Sequence, residues 1–387
     1  MRILQSGLRP RRRGANGSDQ FALSSGRFCE VHCPAMTRPD AQLLNPDAPG
    51  VLVTGAAGEV GHAILRGLAA GGAQEVVATD LRSVDMDGAS CVQGDLLDPS
   101  LVESLFTGRI GLVIHLAALL SSAGEQHPDL AWRINADATW NLMRASMSHA
   151  EAHGHTVRFV YPSSIAVHGR KSTEQHPLSE TEALAPRTLY GVTKRAMEQA
   201  GTWLSKEYGR MLGQTPGGTL DFRAIRYPGL LSAETLPSGG TSDYAPEMVH
   251  AAVRGEKASC FVAPHARLPF MTMPEAAEAT LALASAPRSC LQQNVYGVGG
   301  FAPTAAELED ALRDRFPDFE VEYDIHPIRS DIVDSWPVDV DDSAARRDWG
   351  FQRGLNLASA LDEYLIPGIR NAHCQSTDEC EKTPRTL

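Results

Sequence analysis

No stretch of about 18 consecutive apolar residues, the length a membrane-spanning helix needs, occurs among the 387 residues. A membrane is therefore not expected as a partner. Positive charge is also scarce: 35 Lys and Arg stand against 47 Asp and Glu, for a formal net charge of −12. A surface of that sign repels phosphate backbones, so no nucleic-acid partner is expected either. Cysteines number seven, an odd count scattered over a long chain. That excludes a disulfide framework and reads as reduced thiols in an intracellular protein. Internal repeats and low-complexity domains are missing too. With 43% hydrophobic residues, the chain can bury a large core in one large domain or two unequal ones.

The charge is unevenly spread. Residues 1–35 carry six arginines (Arg2, Arg9, Arg11, Arg12, Arg13, Arg27) and only Asp19 and Glu30 as acids; the remainder, with 29 basic and 45 acidic residues, stands at −16. A basic, Ser-containing, acid-poor start resembles a mitochondrial transit peptide, and an upstream extension with Met36 as the true start fits as well. Residues 1–45 are set apart as an N-terminal extension, and the location is cytoplasmic, or mitochondrial if that extension is a transit peptide. Cys29-x-x-His32-Cys33 lies within it but lacks a second ligand pair at zinc spacing, so no metal is expected. Residues 371–387 read as a polar tail.

Between these ends, strand and helix patterns alternate. Val51-Leu52-Val53, Glu75–Thr79, Gly111–Leu116 and Arg158–Tyr161 are short apolar runs that read as strands. Helical spacing follows at 62–70 and at Asn135–Ala150. This alternation predicts an α/β fold, a Rossmann-type doubly wound parallel sheet, over residues 50–230. After Tyr227-Pro228-Gly229 the pattern turns irregular, with a helix at Ala305–Arg315 and a strand at Phe319–Tyr323. Residues 231–370 are expected mainly as a smaller substrate-binding cap. Gly213–Gly218 reads as a surface loop, and Ser238-Gly239-Gly240 as a hinge for cap closure.

Gly55-x-x-Gly58-x-x-Gly61 follows the first strand and opens a helix. Such glycines let the backbone turn tightly and approach a pyrophosphate, which sits at the helix N-terminus flanked here by Glu59 and Val60. Asp80 ends the second strand, where a carboxylate can bind the ribose hydroxyls of NAD and repel the 2′-phosphate of NADP; Arg82 nearby softens that preference. Asp95 and Leu96 are placed to flank the adenine, and His115 to Ala118, with Ala117 among the cofactor contacts, to run beneath the dinucleotide. His115 is read as a packed strand residue, and Asn135 as opening a helix and fixing backbone near the site.

Tyr190 and Lys194 are four apart at the start of a helical stretch, so phenol and ammonium share one face. A free tyrosine, with a pKa of about 10, is a poor base at neutral pH. A lysine and the positive nicotinamide favour its phenolate. Ser164, at the end of the strand through Arg158–Tyr161, can hydrogen-bond a substrate hydroxyl.

These motifs look like the extended short-chain dehydrogenase/reductases, in the epimerase/dehydratase superfamily. ALLSS (Ala118–Ser122), PSSIAVHG (Pro162–Gly169), TLYGVTK (Thr188–Lys194), RYPGLLS (Arg226–Ser232), GGTSDYA (Gly239–Ala245), RLPFMTMPEA (Arg267–Ala276) and DSWPVDVDDSAARRDWG (Asp334–Gly350) resemble the short-chain type L-threonine 3-dehydrogenases across residues 50–367. The resemblance implies oxidation of the threonine 3-hydroxyl by NAD to 2-amino-3-ketobutyrate. Tyr190 is then the base, Ser164 the hydroxyl anchor and Lys194 the tuner of Tyr190, with Tyr190, Lys194 and Tyr227 also against the cofactor. Ser121, Thr241 and Trp336 match positions that close around the amino acid, and a homodimer is implied. The 213–218 loop, Phe270 and Thr272 depart from the usual pattern. Nucleotide-sugar epimerases or dehydratases, sugar-acid dehydrogenases of the D-erythronate type, and an NAD-sensing module without activity are the alternatives.

Overall fold

A computed structural model describes residues 50–169, 177–210, 219–236 and 240–372. The N-terminal extension with its Cys29–Cys33 motif, the 213–218 loop, Ser238 and Gly239, and the polar tail from 373 onward lie outside the described residues.

The apolar runs become strands. GVLVT forms β1 (Gly50–Thr54), buried at every position, as a strand covered on both faces requires. A tight turn leads into α1 (Glu59–Ala70), which buries Ile64, Leu65 and Leu68. β2 (Val76–Asp80), β3 (Ala89–Gln93), α2 (Pro99–Leu105, capped by Asp98) and β4 (Ile110–His115) follow. The chain then runs through α3 (Ser121–Gln126), α4 (Pro128–Trp132), a π-helical stretch at Arg133–Ala138 and α5 (Thr139–His153). Asn135, expected to open a helix, instead lies inside the π-helical stretch. Trp132 and Thr139 are helical on either side of it, so nothing breaks the run there. β5 (Val157–Ser164), α6 (Leu189–Lys206) and β6 (Leu220–Tyr227) complete the alternation.

After β6 come β7 (Gly229–Leu231), α7 (Tyr244–Arg254), β8 (Ala258–Cys260) and β9 (Phe270–Thr272). α8 (Met273–Ser285), β10 (Val295–Gly297), α9 (Ala305–Arg313), β11 (Val321–Tyr323), α10 (Pro327–Asp334) and α11 (Ser343–Trp349) follow. Phe270 and Thr272 are buried in β9, and the Thr272 hydroxyl and N–H both donate to Glu275, fixing the start of α8.

The main sheet has seven strands in the order β10-β6-β5-β4-β1-β2-β3, and its pairings are parallel. Alternation along the strands builds a core on each face. Leu52, Phe159 and Phe222 pack with Leu142, Met197 and Leu204 of α5 and α6. Val51, Val53 and Val160 pack with Ile64 and Leu68 of α1 and Leu281 of α8. The span after β6 is therefore not all cap: α8 covers the sheet beside α1, and β10 extends the sheet. A separate core holds Tyr244, Phe261, Phe270, Trp336 and Leu361. The direction of strand addition reverses between β1 and β4, which opens a crevice at their carboxyl ends, the place where doubly wound sheets bind ligands. Among the described residues no helix is long and apolar enough to cross a membrane.

Candidate active site

The crevice begins at the glycine turn. Gly55 has φ +67, and a Cβ there would lie 2.5 Å from the Ala117 nitrogen, so only glycine lets the turn pass so close to the chain leaving β4. At Gly61 a Cβ would lie 2.6 Å from the Gly55 carbonyl oxygen, so glycine also seats α1 against the turn. Gly58 is the N-cap of α1 and has no side chain to occupy the helix end. Open N–H groups and bare backbone suit a pyrophosphate.

Asp80 faces this turn. Its Oδ2 accepts from the Ala57 N–H at 3.1 Å and its Oδ1 from the Arg82 N–H at 3.0 Å. The exposed Arg82 donates through Nη2 to the Ala57 carbonyl at 2.6 Å. Both residues thus hold the loop that would carry the phosphates. Glu59, on the first turn of α1, accepts from the Ser232 and Thr235 hydroxyls, the latter at 2.7 Å, which ties α1 to the segment after β7. Burial pushes its carboxyl above the usual carboxylate range, against the Thr235 hydrogen bond.

The other cofactor candidates are more varied. Val60 packs into the core under α1, and Leu96 against the core on the opposite face. Asp95 accepts from the Leu97 N–H at 2.9 Å in the turn after β3. The Tyr227 hydroxyl bonds Thr280 on α8 and donates to the Ala276 carbonyl at 3.4 Å. His115 is the packed residue expected, bridging Thr54 and Thr139 hydroxyls at 2.7 and 2.8 Å.

Across the crevice, α6 is fixed at its first turn. The Thr188 hydroxyl accepts from the Gly191 N–H at 3.1 Å, and Glu125 of α3 accepts from the Leu189 N–H at 2.6 Å. A Cβ on Gly191 would lie 2.1 Å from the Ala166 carbonyl, so the helix start is pressed against the chain just past Ser164. Tyr190 stands there, half-buried against the cap core that contains Trp336, and burial pushes its phenol up to about 12. Lys194 is buried, donates through Nζ to the Pro162 carbonyl at 2.7 Å, and lies 5.5 Å from the Tyr190 ring centroid. Burial pulls its amine down to about 7, with the Glu198 carboxylate opposing. The Ser164 hydroxyl accepts from the Ala166 N–H at 3.1 Å.

Several supporting residues were not read from the sequence. Glu198, one turn past Lys194, is buried; burial favours its neutral form, but Arg226 overrides that and holds it below the usual range. It accepts from Arg226 Nε at 2.7 Å and from the Ser163 hydroxyl at 2.7 Å. Asn135 Oδ1 accepts from the Leu119 N–H at 2.7 Å, and its Nδ2 donates to the Leu119 carbonyl at 2.9 Å and to Thr193 Oγ1 at 3.4 Å. Thr193 donates in turn to the Tyr190 carbonyl at 2.9 Å. Asn135 was expected from the sequence to fix backbone near the site, whereas Thr188, three residues before Gly191 at N-cap spacing, was a signal left unread.

The substrate candidates meet from two sides. Thr241 Oγ1 donates to Ser121 Oγ at 3.2 Å, joining the cap to α3. Arg329 of α10 donates to the Gly240 carbonyl at 2.7 Å while covering the Phe261 ring. Trp336 is buried, and its Nε1 has no hydrogen-bond partner among the described residues.

Residues 51–299 match the NAD dependent epimerase/dehydratase family. The mitochondrial L-threonine 3-dehydrogenase of Bos taurus is 33% identical over 325 residues, 82% of each chain. The crystal structure of L-threonine dehydrogenase from Phytophthora infestans aligns with a TM-score of 0.72 at 33% identity, covering 82% of this chain and 99% of that one. A monomeric L-threonine 3-dehydrogenase from a metagenome, in its apo form, gives 0.71 at 33% identity, covering 83% and 99%.

Proposed function

Because the chain belongs to the NAD-dependent epimerase/dehydratase family, we propose that it oxidises the 3-hydroxyl of L-threonine to 2-amino-3-ketobutyrate with NAD. The observation that carries this reading is the pairing of Tyr190 and Lys194 one turn apart on α6, with Nζ 5.5 Å from the phenol ring centroid; a hydroxyl pair, Thr241 of the cap and Ser121 of α3, supports it.

NAD, when bound, supplies the hydride acceptor and a positive charge at the nicotinamide. The glycine turn is shaped for its pyrophosphate, and Asp80 for its adenosine ribose. Tyr190 takes the proton of the substrate hydroxyl as phenolate. Burial alone keeps that phenol protonated at neutral pH, so the base depends on cationic neighbours, and Lys194 is the one the fold provides. Ser164 steadies the oxygen that loses its proton. Ser121 and Thr241 offer hydroxyls to the ammonium and carboxylate, and Trp336 closes the wall with an indole N–H to spare.

Two further observations support the remaining assignments. Trp132, Trp140, Val192 and Trp203 are exposed on α4, α5 and α6. Tyr208 joins two of these helices, stacking edge-on with Trp203 at 5.6 Å and lying under Arg144 at 4.7 Å. Such an apolar face favours a homodimer, to be measured by analytical ultracentrifugation of the wild type and Trp203→Glu. The acid-poor start and the mitochondrial bovine relative favour a transit peptide, which fusion of residues 1–45 to a fluorescent reporter tests.

The deciding experiment is NADH absorbance with purified protein and L-threonine, L-serine, D-erythronate or UDP-sugars. Turnover with L-threonine well above the others is expected. Turnover with a UDP-sugar alone would replace this reading with the epimerase one.

A further inference from the structure

The chain has only five lysines: Lys171, Lys194, Lys206, Lys257 and Lys382. Lys206 and Lys257 are exposed, and Lys194 is buried. An ammonium taken out of water needs replacement partners. One is the Pro162 carbonyl at 2.7 Å. The Glu198 carboxylate on the next turn of α6 adds favourable charge but is committed to Ser163, Arg195 and Arg226. His115, facing the same interior from β4, is kept neutral by burial and by the charge of Lys194, which lower it to about 3. The Tyr190 ring lies 5.5 Å from Nζ, but its oxygen is assigned to the reaction.

The closest aromatic face belongs to a different residue. The ring centroid of Tyr161, on β5, is 4.6 Å from Lys194 Nζ, inside the ~6 Å reach of cation–π attraction. The ring is set by its neighbours: His115 stacks on it at 6.2 Å and Phe222 lies at 6.1 Å. Its hydroxyl is buried with no hydrogen-bond partner among the described residues. The useful part of Tyr161 at this place is therefore its ring face.

We propose that Tyr161 is a positioning residue for Lys194, its ring face holding the ammonium charged and aimed beneath Tyr190. The proposal rests on the roles given above to Tyr190 and Lys194. Tyr161 touches no substrate; it acts on the base through the lysine.

The test reads the lysine directly. With ¹³C-labelled lysine the chain gives few side-chain signals, and that of Lys194 is the one missing in Lys194→Met. Tyr161→Met removes the ring with a flexible apolar filler, and Tyr161→Leu is a second replacement should the first fold poorly. Either is expected to lower the Lys194 titration midpoint by about 1 pH unit, whereas Tyr161→Phe leaves it in place. A neutral amine no longer favours the phenolate. The acid limb of kcat/KM for L-threonine should therefore move up in the ringless variants, with about a tenfold loss at pH 7, as expected for two coupled groups. A Lys194 midpoint unchanged in the ringless variants overturns the proposal. So does a midpoint that moves as far in Tyr161→Phe, which would assign the effect to the hydroxyl. A shifted Lys194 signal without NADH formation from threonine upholds the proposal and removes the substrate assignment instead.

Discussion

The side-chain amide of Asn135 grips Leu119 from both sides, accepting from its N–H at 2.7 Å and donating to its carbonyl at 2.9 Å. The chain between β4 and α3 thereby stays in place two residues before Ser121. Through Thr193, the same amide reaches the main chain of Tyr190. Asn135→Ala leaves both Leu119 groups without this partner and loosens the path to Ser121. Turnover should fall by about 10- to 100-fold, since displacements near 1 Å have effects of that size. Thermal melting should show a parallel loss of stability, of about 1–3 kcal/mol per group left unsatisfied. Steady-state kinetics matching the wild type would remove Asn135 from the site.

Tyr190→Phe keeps the ring that packs on the cap and deletes the ionisable oxygen. General-base catalysis contributes about 10²–10⁴-fold, and turnover with L-threonine should drop by that range while NAD binding and folding persist. The sign of the pH dependence follows from the phenolate. Activity of the wild type rises with pH, and Lys194→Ala moves the midpoint further up, because the phenol then keeps only its burial, which already favours the protonated form.

Asp80 holds the Ala57 N–H, and on the proposed function it also binds the adenosine ribose. Asp80→Ala should weaken NAD by about 10- to 100-fold, the range for hydrogen bonds to a charged group, and narrow the preference over NADP. Asp80→Asn keeps the shape without the charge and separates the two duties. Fluorescence titration with NADH and NADPH measures both. A wild type that prefers NADPH would show that Arg82, bonded to the Ala57 carbonyl, sets the choice instead.

Glu59 carries an acid to the end of α1 that should receive phosphates. Its burial raises the carboxyl, so the anionic form grows in only as pH rises past the usual carboxylate range. NAD affinity of the wild type should therefore weaken with rising pH across that interval. Glu59→Gln should flatten the trend and bind NAD about fivefold tighter at neutral pH, as for a like-charge term near 1 kcal/mol. Calorimetric titration at several pH values checks this.

Gly55 and Gly61 were legible in the sequence because their local geometry admits no side chain, Gly58 because its spacing leaves the end of α1 bare, and Tyr190 and Lys194 because one helical turn joins them. β1, β2, β4 and β5 were legible for a similar reason: parallel strands buried on both faces are short continuous apolar runs, a pattern that β3, with its exposed positions, lacks. Asn135 was noticed but misplaced, since a π-helical stretch leaves the helical pattern intact around it. Tyr161 was invisible as a partner of Lys194, 33 positions later, because only the packing of α6 on β5 joins them. The bond from the Tyr227 hydroxyl to α8 was not legible, because the return of α8 and β10 to the sheet lies in a stretch with no strand longer than three residues.

That return sets an order on synthesis. A ribosome releases β1 through β6 well before α8 and β10, so the emerging nucleotide-binding half must wait with the surface of α1 bare and the edge of β6 unpaired. Domains commonly fold as they leave the ribosome, but this one is finished only when Gly297 has emerged. The segment between β7 and β9 is then held at both ends, because these two strands pair with each other beside the sheet. It is stitched into a finished fabric and cannot be lost from the end of the chain.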